Sequence, residues 1–254
     1  MNRFFSVLLI SMISVSVSAQ NFTTSNISFG DVNSGLSVSG IAGGTAITQS
    51  SDTSTITSLN SVACPADNDS YYRRFDLDND HGIVTNFDVT SLEFATETAA
   101  GIGGTQDLIV NLYSISNASP LLLANLTLIG TGTVNVADGV ASVQNASVTG
   151  SVNGATDDLV VEIVANDTLN GTTYFIGSNA NGQSAPSFIF SVGCGADEIT
   201  DIADLGFPGM HIIMIVNGTV FIPPPAIIPS LSTIGLLLLI ASMLFLSRRK
   251  RLFN

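Results

Sequence analysis

The sequence lacks tryptophan and is poor in the side chains that most often carry out catalysis, with two cysteines and two histidines in 254 residues. Neither the GxSxG nor the HExxH motif occurs, so the common signatures of serine and zinc hydrolases are missing. The histidines, His81 and His211, stand without the motif context that a nucleophile and its base require. We therefore predict that the protein is not an enzyme, although paired carboxylates for glycoside hydrolysis stay open among its twenty acidic residues.

Basic residues are also scarce, at seven against twenty acidic ones, and they are unevenly placed. Between the two chain ends the only cations are Arg73 and Arg74, and every acidic residue lies between Asp31 and Asp204. No lysine occurs in this body. Such a surface repels phosphate backbones and anionic lipid headgroups, so we expect no nucleic-acid partner. The negative charge instead supports solubility or attracts cations in an extracellular setting.

The C-terminal segment contains one long apolar run, with no charged residue from Ile227 to Leu246. About twenty helical residues at roughly 1.5 Å each match the hydrocarbon core of a bilayer, which favours a membrane span over a buried core helix. We predict a transmembrane helix over 231–247 and a cytoplasmic tail over 248–254. Clustered cations stay on the cytoplasmic side, so the residues before the span should lie outside it. These cations are Arg248, Arg249, Lys250 and Arg251.

Residues 1–19 have the features of a secretory signal peptide. Arg3 is followed by an apolar region that ends at an A-x-A-like cleavage site, Val17-Ser18-Ala19. We therefore predict the secretion translocon and signal peptidase as partners. A cleaved leader exports the body, and the C-terminal span then tethers it to the inner membrane before it reaches the cell surface or the extracellular space.

A short motif, IPSLSTIG, precedes the apolar run. Together with the helix and the RRKR tail it resembles the IPTL-type C-terminal sorting signals of Gram-negative bacteria, whose usual form is IPTLxxWG. The motif has Ser in place of the usual Thr and Ile in place of the usual Trp. The resemblance implies recognition by an exosortase-family membrane protease, removal of the tail and delivery to the cell surface, whereas the alternative is a plain anchor that is never cut. The matching positions are Ile228, Pro229, Ser230, Leu231 and Gly235.

Cys64 and Cys194 are the only cysteines. In an exported chain an even pair is most simply one disulfide. The bond would close a loop of about 130 residues and stabilise the fold by about 4 to 5 kcal/mol on the chain-entropy argument. No CxxC motif supports a redox role, so we predict a structural bond.

The composition of the body predicts an all-β protein. It is rich in Val, Ile, Thr, Ser, Asn and Gly, and apolar residues fall on every second position in several segments. Asn-Gly and Asp-Gly pairs provide turns between these segments. We expect an antiparallel β-sandwich that is jelly-roll-like. The predicted strands include 54–62, 71–77, 87–96, 121–129, 160–164 and 211–216.

The segments between the signal peptide and the span have predicted boundaries. Residues 20–62 are expected to form N-terminal strands, as an edge hairpin or a flexible lead, and 63–221 to form the sandwich body. Residues 222–230 contain a Pro-rich spacer and the sorting motif. One short helix is predicted at 196–205, because apolar residues recur there at three-residue spacing before Gly206.

Asp76, Asp78 and Asp80 alternate along the chain before a glycine, an arrangement from which calcium loops draw oxygen ligands. The segment departs from an EF-hand, because His81 stands where that loop has Gly and Phe87 where it has Glu. Calcium is therefore one hypothesis for these residues, and an acidic turn after a strand is the alternative. We expect no other cofactor.

Tyr71, Tyr72, Arg73 and Arg74 combine two aromatic rings with the only cations of the body. In a strand, Tyr71 and Arg73 lie on one face, and Tyr72 and Arg74 on the other. An aromatic platform and a guanidinium fork could bind a sugar or a carboxylate. The alternative is a core tyrosine with both arginines paired to nearby carboxylates.

The sequence thus predicts an exported structural or adhesive protein of the cell envelope or the extracellular matrix. One alternative is a carbohydrate-binding module that contacts a surface polysaccharide through the strand 71–74. A surface hydrolase is the third interpretation. The absence of tryptophan weighs against a carbohydrate site, because flat aromatic platforms are then limited to Tyr and Phe.

Overall fold

Fourteen β-strands make up almost all of the regular structure in the computed structural model, which describes residues 41–64, 68–165 and 171–222. Two short 3-10 turns, Leu123–Asn125 and Val192–Cys194, are the only helical segments in these ranges. In chain order the strands are β1 (Ile41–Thr48), β2 (Asp69–Phe75), β3 (Asn86–Ala100), β4 (Thr105–Ser116), β5 (Thr127–Ala137), β6 (Gly139–Ala146), β7 (Gly150–Asn153), β8 (Asp157–Ala165), β9 (Thr173–Ile176), β10 (Ser178–Asn179), β11 (Phe188–Ser191), β12 (Ala196–Asp201), β13 (His211–Ile212) and β14 (Met214–Ile222).

The strands form two six-stranded antiparallel sheets and one two-stranded sheet. The first sheet has the order β1-β14-β3-β6, and β7 and β9 also pair with the long strand β3. The second sheet has the order β12-β11-β2-β8-β4-β5. The pair β10-β13 forms the small sheet. Strand β2 therefore lies inside the second sheet, between β11 and β8.

Burial along the strands follows their sequence patterns. Strand β4 alternates, with Leu108, Val110 and Leu112 buried and the residues between them more exposed. Strand β8 has the near-continuous apolar run Leu159–Val161 and is buried on both faces. A strand with both faces covered needs no polar face, which explains the loss of alternation in β8.

The main core lies between the two large sheets. One cluster of buried apolar side chains joins Tyr71 and Phe75 of β2 and Val161 of β8 to Phe94 of β3 and Val216 of β14. A smaller cluster lies on the other face of the second sheet and contains Tyr72, Ile115, Val160 and Ile199. The prediction of an all-β protein with antiparallel, sandwich-like sheets is confirmed.

The predicted disulfide is also confirmed. Cys64 is bonded to Cys194, with their Cα atoms 5.8 Å apart. Cys64 lies in the segment before β2, and Cys194 ends the 3-10 turn after β11. The bond therefore links the segment that precedes β2 to the turn that follows its neighbouring strand, β11.

The predicted helix at 196–205 is wrong. Residues 196–201 form strand β12, which pairs with β11, and a turn follows in which the Ile202 amide donates to the Ser187 carbonyl. Ile199 packs in the smaller cluster and Ile202 in the main core, so the two side chains do not share a face. The three-residue spacing arises from a strand followed by a turn.

Two predicted strands are wrong in part or in whole. Residues 54–62 lie outside the named strands. At the start of this segment the Asp52 carboxylate accepts the Ser54 and Thr55 amides, which competes with strand pairing there. In 121–129 the chain forms the 3-10 turn Leu123–Asn125, and pairing starts at Thr127.

Strand β1 lies inside the predicted N-terminal segment 20–62. It pairs with β14 in continuous register, from Ile41↔Ile222 to Thr48↔Ile215, and forms an edge of the first sheet. This part of the segment therefore belongs to the same sheet as the strands of the predicted body.

Within the described residues, no helix has the length and hydropathy needed to cross a membrane. The predicted signal peptide at 1–19, the span at 231–247 and the tail at 248–254 lie outside those residues. The sorting-motif residues, from Ile228 to Gly235, lie outside them as well.

Candidate functional site

The strand with the predicted ligand residues, β2, directs its side chains to two different environments. Tyr71 lies in the main core, where its hydroxyl donates to the Val62 carbonyl at 2.8 Å. Tyr72 lies in the smaller cluster on the opposite face. Arg73 and Arg74 alternate in the same way, so the four residues face as the strand pattern predicts.

Arg73 is a buried cation, with 1% of its surface exposed. Its Nε and Nη2 donate to the Ile212 carbonyl at 3.2 and 2.6 Å, and its Nη1 donates to Gln183 Oε1 at 2.8 Å and to the carbonyls of Ala185 and Pro186 at 2.7 and 3.3 Å. Burial lowers the pKa of Arg73 to about 9, which leaves the guanidinium charged at neutral pH. Arg73 thus ties β2 to the chain around β13.

Arg74 forms the ion pair that the sequence led us to expect for both arginines. Its Nε lies 2.7 Å from Asp158 Oδ2, and its Nη1 donates to the Ser119 carbonyl at 2.8 Å. Burial raises the pKa of Asp158, and the guanidinium of Arg74 only partly offsets that shift. Arg73 has no carboxylate partner among the described residues, so the expectation of two ion pairs is wrong for that residue.

Glu162 of β8 organises the outer face of the second sheet. Its Oε1 accepts the Tyr72 hydroxyl at 2.5 Å, and its Oε2 accepts the Tyr113 hydroxyl at 2.7 Å and Asn111 Nδ2 at 2.8 Å. Burial first, and the carboxylate of Glu162 second, raise the pKa of Tyr72. We call this group the outer-face cluster, and it consists of Tyr72, Asn111, Tyr113, Glu162, Phe188 and Phe190.

The outer-face cluster was missed in the sequence, apart from Tyr72. Its members come from β2, β4, β8 and β11, and they meet only because these strands are neighbours in one sheet. Glu162 offered one signal, since it interrupts the apolar run of β8. A charged residue inside a buried strand requires hydrogen-bond donors from adjacent strands.

The acidic loop follows β2. Asp76 accepts hydrogen bonds from the Asn79 amide and from Asn79 Nδ2, both at 2.9 Å, whereas Asp78 and Asp80 are exposed. No group of three or more His, Cys, Asp or Glu side chains in the described part of the chain is arranged to hold a metal ion. Calcium binding by this loop stays a prediction.

A cavity of about 470 Å³ lies beside the disulfide. Val62, Phe175, Ile189 and Phe207 contribute to its mostly apolar lining. Its size falls within the range of small-molecule sites, roughly 300 to 1,000 Å³. Its residues are far apart in the sequence, so no local motif pointed to it.

The four predicted ligand residues of β2 are brought together by the structure, but they contact other parts of the protein. Tyr71, Tyr72 and Arg73 are each at most 2% exposed, and Arg74 binds Asp158. Neither the protein-family models nor the curated proteins that were compared with the chain match it.

Proposed function

We propose that the protein is an exported structural or adhesive component of the cell envelope or the extracellular matrix. The observation that carries this proposal is the Cys64–Cys194 disulfide in an all-β body. Disulfides persist in oxidising compartments, and they are rare in proteins that stay in the cytosol. This agrees with the secretory signal that we infer for residues 1–19.

The proposed route has three steps. The translocon exports the chain and signal peptidase removes 1–19, after which the helix 231–247 holds a jelly-roll-like body at the outer side of the inner membrane. The cations from Arg248 to Arg251 keep the tail in the cytoplasm. An exosortase-family protease then recognises the motif around Pro229 and releases the body to the surface.

A structural role is supported by the way in which the body uses its polar side chains. The guanidinium of Arg73 and the carboxylate of Glu162 are buried and hydrogen-bonded to neighbouring strands. Buried polar networks of this kind fix the arrangement of strands. These networks therefore make the body rigid, as a matrix or adhesive component needs to be.

The test is the intact mass of the native protein together with its cellular fraction. We expect a product that starts after Ala19, ends near residues 225–231 and lies outside the inner membrane. Exchanging Pro229 for Ala should leave a product that retains Asn254 and stays in the membrane, whereas Ser232→Ala, outside the matching positions, should behave as the wild type. A wild-type product in the cytosol that retains Met1 would overturn the proposal.

Carbohydrate binding at the cell surface is the second candidate, and the outer-face cluster favours it. Tyr113, Phe188 and Phe190 are half-buried on one face, which they share with the half-buried side chain of Asn111. Aromatic faces next to polar groups are suited to sugars, which have apolar and hydroxyl-bearing sides.

A glycan array tests this second candidate. Tyr113→Ala and Phe190→Ala should each lose the glycan-binding signal that the wild type shows. Thr57→Ala should keep that signal, because Thr57 lies in the exposed loop between β1 and β2 and is not part of the outer-face cluster. Absence of signal for the wild type on polysaccharides would leave the structural role as the better explanation. Hydrolysis of a polysaccharide that depends on a carboxylate would favour the third interpretation, a surface hydrolase.

A further inference from the structure

Strand β5 forms one edge of the second sheet. Over the described residues it pairs with β4 alone, and its register with β4 runs without a shift from Gly130↔Leu112 to Ala137↔Thr105. In an antiparallel pair every second residue directs its N–H and C=O away from the partner strand. Strand β5 therefore presents a regular row of backbone donors and acceptors at the rim of the sheet.

Edge strands in proteins are usually protected by charges, proline or irregular geometry. The opposite edge of the same sheet, β12, has such protection, because it is short, has Asp197, Glu198 and Asp201, and shows a register shift against β11. Strand β5 contains no charged residue and no proline. The whole stretch from Leu108 to Ala137 is free of charge.

In the described part of the chain, the surroundings of β5 leave its edge open but cover its inner face. A Cβ atom on Gly130 would lie 2.1 Å from the Thr149 carbonyl oxygen, so the segment after β6 packs directly over this glycine. On the exposed side, Leu128 is 55% exposed, and Ile109 of β4 is 46% exposed. Among the residues that the structure describes, the edge thus combines unpaired backbone groups with exposed apolar side chains.

We propose that β5 binds the β5 strand of a second copy of this chain, antiparallel and around a two-fold axis at Thr133. Thr133 lies near the centre of the regular stretch from Gly130 to Ala137. A strand that pairs with its own copy is self-complementary, as an isologous interface requires. The two second sheets then become one continuous sheet.

Charge makes this edge the part of the described surface where a second copy meets the least repulsion. The described residues outside β5 contain many carboxylates and only two arginines, Arg73 and Arg74, so most of the surface of one copy repels another. Two copies can approach with less of that cost along the uncharged stretch, where the nearest carboxylate is that of Asp107, which accepts a hydrogen bond from Asn135 of β5. The neighbouring edge, β6, is less suited, because Ala141 adopts a φ of 50° inside the strand and interrupts its regular geometry.

The inference goes beyond the proposed function, because it concerns the chain itself wherever it is located. It is tested by sedimentation of the purified full chain in one detergent, at concentrations from micromolar to near millimolar. We expect a monomer–dimer equilibrium, and Thr133→Lys should raise the dissociation constant by about tenfold or more, because it places two like charges opposite each other. The matched variant Thr57→Lys, in the exposed loop between β1 and β2, should leave the constant unchanged.

Cross-linking gives a second readout. Thr133→Cys should form a disulfide-linked dimer under mild oxidation, and Thr57→Cys should not, because only the first brings two copies of one residue together at the axis. Circular dichroism checks that each variant is folded. A chain that is monomeric throughout, or a dimer that Thr133→Lys does not weaken, would overturn the inference, while cellular fractionation tests the proposed function separately.

Discussion

At the scale of single residues, the two arginines of the described body stabilise it in different ways from adjacent positions. Arg73 binds three backbone carbonyls and one side-chain amide, and Arg74 binds a carboxylate. Strand alternation predicts that they face opposite sides. Their partners could not be predicted, because Ile212 and Asp158 lie far along the chain and meet β2 only through the sheet topology.

Replacing Arg73 tests how much its buried guanidinium group contributes to the stability of the fold. We expect Arg73→Met to lower the free energy of unfolding by about 3 kcal/mol, because the Ile212 and Ala185 carbonyls lose a charged donor in a buried site. Arg73→Lys should recover only part of the loss, since one ammonium group cannot reach all the acceptors that the planar fork spans. Urea unfolding followed by circular dichroism measures both, and a change below about 0.5 kcal/mol in Arg73→Met would contradict the argument.

At the scale of strands and turns, the sequence predicted strands best where their residues are packed on a core. Strands β2, β3 and β8 were expected close to their observed positions, because apolar alternation or an apolar run marks them. Strand β5 was missed beyond Ile129, because it lies at an edge, is rich in Gly and Thr there, and has one buried side chain, Val136. Its structure comes from pairing with β4 rather than from its own pattern.

The β1–β14 pair offers a test of packing at this scale. A Cβ atom on Gly218 of β14 would lie 2.5 Å from the ring of Phe87, which is fully buried, and 2.7 Å from the Asp88 carbonyl oxygen. Gly44 of β1 lies almost opposite and has no atom within 4 Å of such a Cβ. The same substitution therefore meets a filled site in one strand and open space in the other.

We expect Gly218→Ala to destabilise the protein by about 2 kcal/mol, because neither the buried ring nor the backbone can move aside without cost. Gly44→Ala should change stability by about 0.5 kcal/mol or less, or stabilise slightly by restricting the unfolded chain. Thermal and urea unfolding of both variants measure the difference. Equal effects would show that the contact with Phe87 is not what requires glycine at position 218.

At the scale of the whole molecule, the two large sheets hold all four tyrosines of the chain in sites that favour the neutral phenol. Burial raises the pKa of Tyr71 and of Tyr174, whose rings lie 6.4 Å apart across the core. Burial and the nearby Glu162 carboxylate raise those of Tyr72 and Tyr113. The phenols in the core and those in the outer-face cluster therefore both make the stability of the fold depend on alkaline pH.

The sign of this effect follows from proton binding in the two states. Above pH 10 an unfolded tyrosine loses its proton, whereas the native phenol keeps it, so stability falls as the pH rises. Burial lowers the pKa of Arg73, and this acts in the opposite direction, because a native pKa below the unfolded value makes stability rise with pH. The raised pKa values of four tyrosines outweigh the lowered pKa of one arginine, so the net effect of raising the pH above 10 is a loss of stability.

We therefore expect stability to decline steeply above pH 10, by about 1.4 kcal/mol per pH unit for each of the fully buried residues Tyr71 and Tyr174. Tyrosinate absorbance near 295 nm should rise together with the loss of far-ultraviolet circular dichroism, because ionisation requires unfolding. Tyr174→Phe should reduce the slope, since it removes one buried phenol. Four tyrosines that titrate near pH 10 while the circular dichroism stays constant would show that the phenols are accessible in the native state.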